Sequence, residues 1–273
     1  MKLAYMYATP EVAPAKVTAV QGDAAACFAR IRELGYDGVE LLVRDPRAFD
    51  HALIERQLAD AGLAMPAVCT GEVYGEDRLS LADPDPKRRA ETLERMVAAM
   101  DLAARFGAMV NVGRMRGRYL DGVERAQTQA WVTTGMQAAA DARPGTRIVL
   151  EPVNRHYANF LTGTAEAARF VRGLERASIG LMLDLAHITI EDERHGDSLA
   201  AAGELFWHYH VCDSDRRAVG HGDWDIGAAL NDLAALGYDG WITAEHFQVP
   251  DAETAMEQSI RWLRGYYDQF RLA

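Results

Sequence analysis

"ELGYDGVELL" (33–42) and "ALGYDGWITAE" (235–245) are two copies of one pattern at opposite ends of the chain. Each reads as a helix end, a Gly-Tyr-Asp-Gly turn and a short run of strand formers, which is the signature of an αβ joint. The same alternation continues outward from both copies. Strands are expected over 3–7, 38–42, 64–70, 108–112, 147–151, 179–184, 207–212 and 241–245. Between them lie segments of helical period such as "DAAACFARIRELG" and "PKRRAETLERMVAAMDLAARFG". Several close on Gly, which takes the left-handed C-cap conformation cheaply. Eight strands alternating with helices predict a parallel sheet with helical crossovers. An open doubly wound sheet would carry a Gly-rich phosphate turn after its first strand, and "YATPEVAP" (7–14) has none. No Pro- or Gly-rich linker divides the 273 residues, and a (β/α)8 barrel typically runs to about 250. The expectation is an α/β protein, a single (β/α)8 TIM barrel domain over 1–273.

Composition narrows the partners. Apolar residues make up 49% of the chain, enough for a sizeable core, and the net charge is −11. Binding to phosphate backbones or anionic lipid wants clustered Lys and Arg, so neither nucleic acid nor membrane is an expected partner. The three cysteines, Cys27, Cys69 and Cys212, are far apart and form no CxxC pair. Reduced thiols in a cytoplasmic protein are expected. The opening "MKLAYMYATPEVAP" reads as no secretory signal, and no run approaches the ~20 apolar residues of a membrane span.

The ends of the last four strands carry the chemistry. "RIVLE" ends on Glu151, "GLMLD" on Asp184 and "WITAE" on Glu245, while "HYHVCDSD" places His210 near the end of strand seven. The intervals are 33, 26 and 35 residues, each about one βα unit. Four consecutive strands therefore bring a metal-capable side chain to the C-terminal mouth, where barrel enzymes keep their active sites. Alternation puts Val149 and Arg147 on the face of Glu151, and His208 on the face of His210. Three carboxylates and one imidazole suit a divalent ion such as Mn2+, Mg2+ or Co2+, with Zn2+ also possible. A single strand-end carboxylate is ordinarily a cap or a solvated turn residue; four in register are not. His208, deeper in the barrel, reads as a hydrogen-bonded interior residue. Glu40 reads as a structural carboxylate or one supporting a ligand. Cys69 and Cys212 are either mouth-lining or simply buried thiols.

The segments "VLEPVNR" (149–155), "LMLDLAHITIEDE" (181–193), "HYHVCDSDRRAVGHGDWDI" (208–226) and "GYDGWITAE" (237–245) resemble the xylose-isomerase-like barrels. Within these the chain is similar to sugar and sugar-phosphate isomerases and epimerases, such as the tagatose/psicose 3-epimerases and hydroxypyruvate isomerase. The resemblance implies that Glu151, Asp184, His210 and Glu245 bind the metal, and that Glu151 and Glu245 also serve as the acid/base pair. It implies that His187 and Arg216 contact substrate oxygens, and that the protein is a homo-oligomer, a dimer or tetramer, acting on a small carbohydrate. His187 is expected in the loop beyond strand six; Arg216 and Arg217 share the rim past His210, where one would hold a substrate hydroxyl or phosphate, and Arg155 is a further expected substrate contact.

One departure stands out. The 3-epimerases place a glutamate six residues after the strand-five ligand, where "EPVNRHY" has Tyr157. With Arg155 and His156, this makes a more cationic and aromatic rim, compatible with a phosphorylated or carboxylated substrate. "GRMRGRYLDG" (113–122) adds three arginines, either an anion-recognising or a solvated loop. "GEVYGEDRLSLADPDP" (71–86) is a candidate lid, oligomer contact or plain surface loop. Trp224 and the aromatic end 262–270 read as helix packing. The expected function is metal-dependent isomerisation or epimerisation of a sugar, sugar phosphate or hydroxy-keto compound through an enediolate. The first alternative is a dehydratase of the inosose or dehydroshikimate kind, which keto-acid formation would reveal. An apurinic-endonuclease-type hydrolase is weaker, because strands one to four bring no histidine. A non-catalytic sugar-binding barrel would bind its ligand without metal.

Overall fold

The computed structural model describes residues 1–13 and 17–271, the side chains of 267–271 excepted. Eight parallel strands close into a barrel in sequence order. They are β1 (Lys2–Ala8), β2 (Gly38–Leu42), β3 (Ala67–Cys69), β4 (Met109–Val112), β5 (Arg147–Leu150), β6 (Ile179–Asp184), β7 (Phe206–Val211) and β8 (Trp241–Ala244). Helices α1 (Ala24–Glu33), α2 (His51–Ala61), α3 (Gly71–Gly75), α4 (Pro86–Ala104) and α5 (Arg125–Ala142) follow the first four strands. The remainder are α6 (Thr164–Gly173), α7 (Leu185–Ile190), α8 (His195–Ala202), α9 (Ile226–Ala235) and α10 (Ala252–Arg271). Among the described residues no helix is long and apolar enough to cross a membrane.

The two Gly-Tyr-Asp-Gly joints are built alike. Gly35 and Gly237 both take positive φ, +100° and +73°, just past the ends of α1 and α9. A Cβ would be strained there, so glycine is what lets each helix turn back into its strand.

Alternation along the strands divides the core in two. Leu3, Tyr5, Tyr7, Val39, Leu41, Val110, Ile148, Leu150, Leu181, Leu183 and Ile242 join the layer packed under the helices. The opposite parity fills the barrel. Ala67, Met109, Val149 and Met182 form one cluster inside it, and Met6, Ala8, Leu42 and Cys69 another. On this inward parity also fall Glu40, Asn111, Glu151, Asp184, His208, His210, Thr243 and Glu245, so the polar groups are a continuation of the interior stack rather than an exception to it.

Three segments differ from the sequence expectation. Strand three begins at Ala67, not 64, because Pro66 has no N–H to give to a ladder; only an isolated bridge, Gly38 to Ala64, precedes it. Residues 71–86 are not a loose polar loop. Val73, Leu79, Leu81 and Ala82 are buried in the main core, and Asp77 is gripped by Arg44 (2.9 Å) and Arg95 (2.6 Å). The segment past β6 is helical from Leu185, since Asp184 Oδ1 accepts the Ala186 N–H at 2.8 Å and caps α7. Trp224 is half-buried against the core, and Trp262 and Tyr266 stack with centroids 5.4 Å apart. The side chains of Tyr267 and Phe270 lie outside the described residues.

Candidate metal centre and its cleft

Parallel register sets Asp184 beside His210, and His210 beside Thr243. Glu151 and Glu245 each stand one residue beyond their strands, so the four side chains converge at the C-terminal end of β5–β8. Glu151, Asp184, His210 and Glu245 are all buried, and each offers one ligand atom within 4.8 Å of the others.

Each is held from behind. Asn111 Nδ2 donates to Glu151 Oε2 at 3.1 Å, and His187 Nε2 lies 3.3 Å from Oε1. Thr18 Oγ1 donates to Glu245 Oε1 at 2.8 Å, and Arg216 Nη1 donates to Oε2 at 2.8 Å. His210 is bracketed: Nδ1 faces Glu245 Oε2 at 3.1 Å, and Nε2 faces both oxygens of Glu40 at 3.0 and 3.1 Å. Glu40 also accepts from Thr243 Oγ1 at 2.8 Å and meets His208 Nε2 at 2.8 Å. A carboxylate that takes one imidazole N–H fixes the tautomer, leaving the other nitrogen for an ion. Glu40 and His208 are hydrogen-bonded inside the barrel, and with His210 they form a second buried group that could hold a metal ion. Gly113 permits the close approach of β4, as a Cβ there would come within 2.5 Å of Glu151 Oε2.

Electrostatics pull these acids apart. Burial opposes ionisation of Glu151, but hydrogen bonding and charge from His187 outweigh it and hold its carboxyl below the usual range. Burial likewise opposes Glu245, where Arg216 and His210 win by a wide margin. At Asp184 burial prevails over Arg216 and His187 and pushes the carboxyl up. Burial also works against a charged His210, yet Glu40 and Glu245 drive its pKa well above the ordinary value.

The donor set fits a divalent cation. Asp184 Oδ2 is buried with no hydrogen-bond donor aligned on it among the described residues, although Arg216 Nη1 lies 2.9 Å away as an ion pair. Three carboxylates and an imidazole at this spacing make a candidate site for a divalent ion.

A half-open cleft borders the cluster. Glu151, His187, Arg216, Glu245, Cys69, Glu72, Arg114 and Tyr157 border it. His187 belongs to α7 rather than to a loop, is buried, and is anchored through Nδ1 to Asn154 Nδ2 at 2.9 Å. Its Nε2 lies 3.2 Å from Arg216 Nη2.

Two expected substrate contacts are not brought to the cleft. Arg155 is half exposed and pairs outward with Glu191 (2.9 Å) and Asp192 (3.0 Å). Arg217 is 53% exposed, and among the described residues its ion pair is with Asp215, at 3.9 Å. Their long side chains find carboxylates on the rim instead. Of the three arginines in 113–122, Arg114 alone borders the cleft. Arg116 is fully buried and donates to four carbonyls, of Gly113, Glu151, Phe160 and Leu161, at 2.9–3.0 Å. Burial lowers its pKa to about 10. Sequence reasoning misses Arg116, Asn111 and Thr18. Only Asn111, polar at an inward position of a strand, carries a signal.

The comparisons with known proteins agree with this architecture. The profile described as Xylose isomerase-like TIM barrel matches residues 28–266. The chain is 28% identical over 262 residues to an L-ribulose 3-epimerase of Mesorhizobium japonicum, covering 94% of this chain and 86% of the relative. It is 26% identical over 256 residues to a 3-dehydro-D-guloside 4-epimerase of Escherichia coli, covering 87% and 92%. A solved L-ribulose 3-epimerase superposes with a TM-score of 0.83 at 20% identity, over 98% of this chain and 95% of that one. Barrel closure, strand order and a match across most of its length lead to one conclusion: the chain belongs to the xylose isomerase-like TIM barrel family.

Proposed function

We propose that the protein is a divalent-metal-dependent epimerase or isomerase of small sugars, working at the mouth of β5–β8. The observation that carries this is the convergence of Glu151, Asp184, His210 and Glu245 within 4.8 Å, on four consecutive strands. The relatives named as sugar 3- and 4-epimerases support the same reaction class. Bound by these four residues, a divalent ion supplies Lewis-acid stabilisation of the charge that develops on the substrate's carbonyl oxygen.

The chain's own groups move the proton. Glu151 and Glu245 are both ionised in the resting site, so either can accept a proton from the carbon beside the carbonyl. β5 and β8 lie three strands apart around the barrel, which lets the two carboxylates approach the substrate from different sides. Removal by one, which then gives that proton up to solvent, and return to the opposite face of the same carbon by the other, which has taken a proton from solvent, inverts that centre. Return at the neighbouring carbon moves the carbonyl instead. His187 and Arg216 donate to substrate oxygens and hold the chain of carbons between the two carboxylates.

Incubating the Mn2+-loaded protein in D2O with ketoses, ketose phosphates and hydroxypyruvate tests this by NMR. Deuterium is expected at a carbon next to the carbonyl of at least one substrate, with a new epimer or isomer. A keto-acid product of water loss, without exchange into recovered substrate, would assign a dehydratase.

A further inference from the structure

The cleft also carries a charged pair that the reaction described above does not use. Glu72, on α3, and Arg114, after β4, both border it. Arg114 Nη2 donates to Glu72 Oε1 at 2.6 Å, and the two side chains are only 27% and 12% exposed. This is the single hydrogen bond of Arg114 among the described residues, so Nε, Nη1 and Glu72 Oε2 make no hydrogen bond to the protein there. The guanidinium also lies 5.7 Å from the centroid of the Tyr157 ring.

We infer that Glu72 and Arg114 are the specificity-determining pair for the non-reacting end of the substrate: Glu72 masks the guanidinium, so that a terminal hydroxyl is accepted and a terminal phosphate or carboxylate is refused. The inference rests on the sugar epimerase or isomerase reading of the same cleft. A hydroxyl donates and accepts at once, which is what a guanidinium–carboxylate pair with spare donors and a spare acceptor offers. A phosphate would also face Glu72, and a like charge in a half-enclosed cleft is strongly disfavoured. Arg155 and Arg217, which give the rim its cationic look in the sequence, are engaged with other carboxylates.

The test takes the neutral ketose that exchanges deuterium fastest and its terminal phosphate ester, with D-fructose and D-fructose 6-phosphate as the first pair. The Mn2+-loaded wild type should favour the neutral ketose in kcat/KM by about tenfold or more. Glu72→Gln, which unmasks Arg114, should shift the ratio about tenfold toward the ester, while Glu72→Asp keeps the wild-type preference. Adding Arg114→Gln to Glu72→Gln should erase that gain. Bound manganese per chain, measured on each variant, should stay at the wild-type value. A wild type that prefers the ester overturns the inference, even if no variant folds. So does an unchanged ratio in Glu72→Gln, or a gain that survives in the double variant. Absence of exchange with every ketose and every ester would instead remove the underlying functional reading, and the inference with it.

Discussion

Glu245→Gln should lower interconversion of the epimers by about 10²–10⁴-fold and abolish deuterium exchange into the epimer whose proton faces Glu245, in a protein that remains folded. The amide keeps the shape of the carboxylate, and its oxygen can still accept from Thr18 Oγ1 or Arg216 Nη1, the two donors that now position Glu245. What it cannot do is take a proton. The wild-type carboxylate is ready to accept one. Burial works against its charge, but Arg216 and His210 hold it well below the ordinary range, so it is ionised at neutral pH. Because Glu245 is also one of the four proposed ligands, metal affinity should fall in the variant. The rate must therefore be compared at saturating Mn2+, with bound metal quantified. Full exchange into that epimer under those conditions would remove Glu245 from the acid/base pair.

The second large effect is expected at a residue that touches neither cleft nor substrate. Glu40→Gln should cost about 3–5 kcal/mol of stability and weaken metal binding about 10–100-fold. Glu40 is fully buried, and two imidazoles and the Thr243 hydroxyl turn their polar groups toward it. Burial alone would neutralise the carboxyl, yet the charges of His210 and His208 hold it below the usual range. Glutamine would present an NH2 group to at least one of these donors, leaving buried partners unpaired. It would also release the N–H end of His210, whose orientation presents Nδ1 to the ligand cluster. Urea denaturation of the metal-free protein reads the first effect, and competitive titration of Mn2+ reads the second. Unchanged midpoint and unchanged affinity together would show that Glu40 does not support the centre.

Much of the barrel is legible because two simple periods run through the sequence. Glycine-terminated helices alternate with short β-rich runs, and within each run one parity is apolar against the helices. The opposite parity places Glu151, Asp184, His210 and Glu245 inside, where an ionisable group at a strand end has few bland explanations when three neighbours share it. What stays hidden depends on contacts between segments distant in sequence. Nothing in "GRMRGRY" separates Arg116, sunk among four carbonyls, from Arg114, which reaches the cleft. Nothing in "VNRHY" reveals that Glu191 and Asp192 draw Arg155 away from the mouth. The helical start at Leu185 is concealed for a different reason. Asp184 does two jobs, offering one oxygen to the cap and the other to the cluster. The 71–86 segment resembles a loop because its polar residues outnumber the few apolar ones that fasten it down.

Metal binding decides the central claim. After removal of metal with chelator and reloading with Mn2+, one ion per chain is expected. Anomalous diffraction at the manganese edge should place that ion in contact with Glu151, Asp184, His210 and Glu245. Failure to bind manganese or any comparable divalent ion stoichiometrically, or an anomalous peak away from these four side chains, would contradict the account.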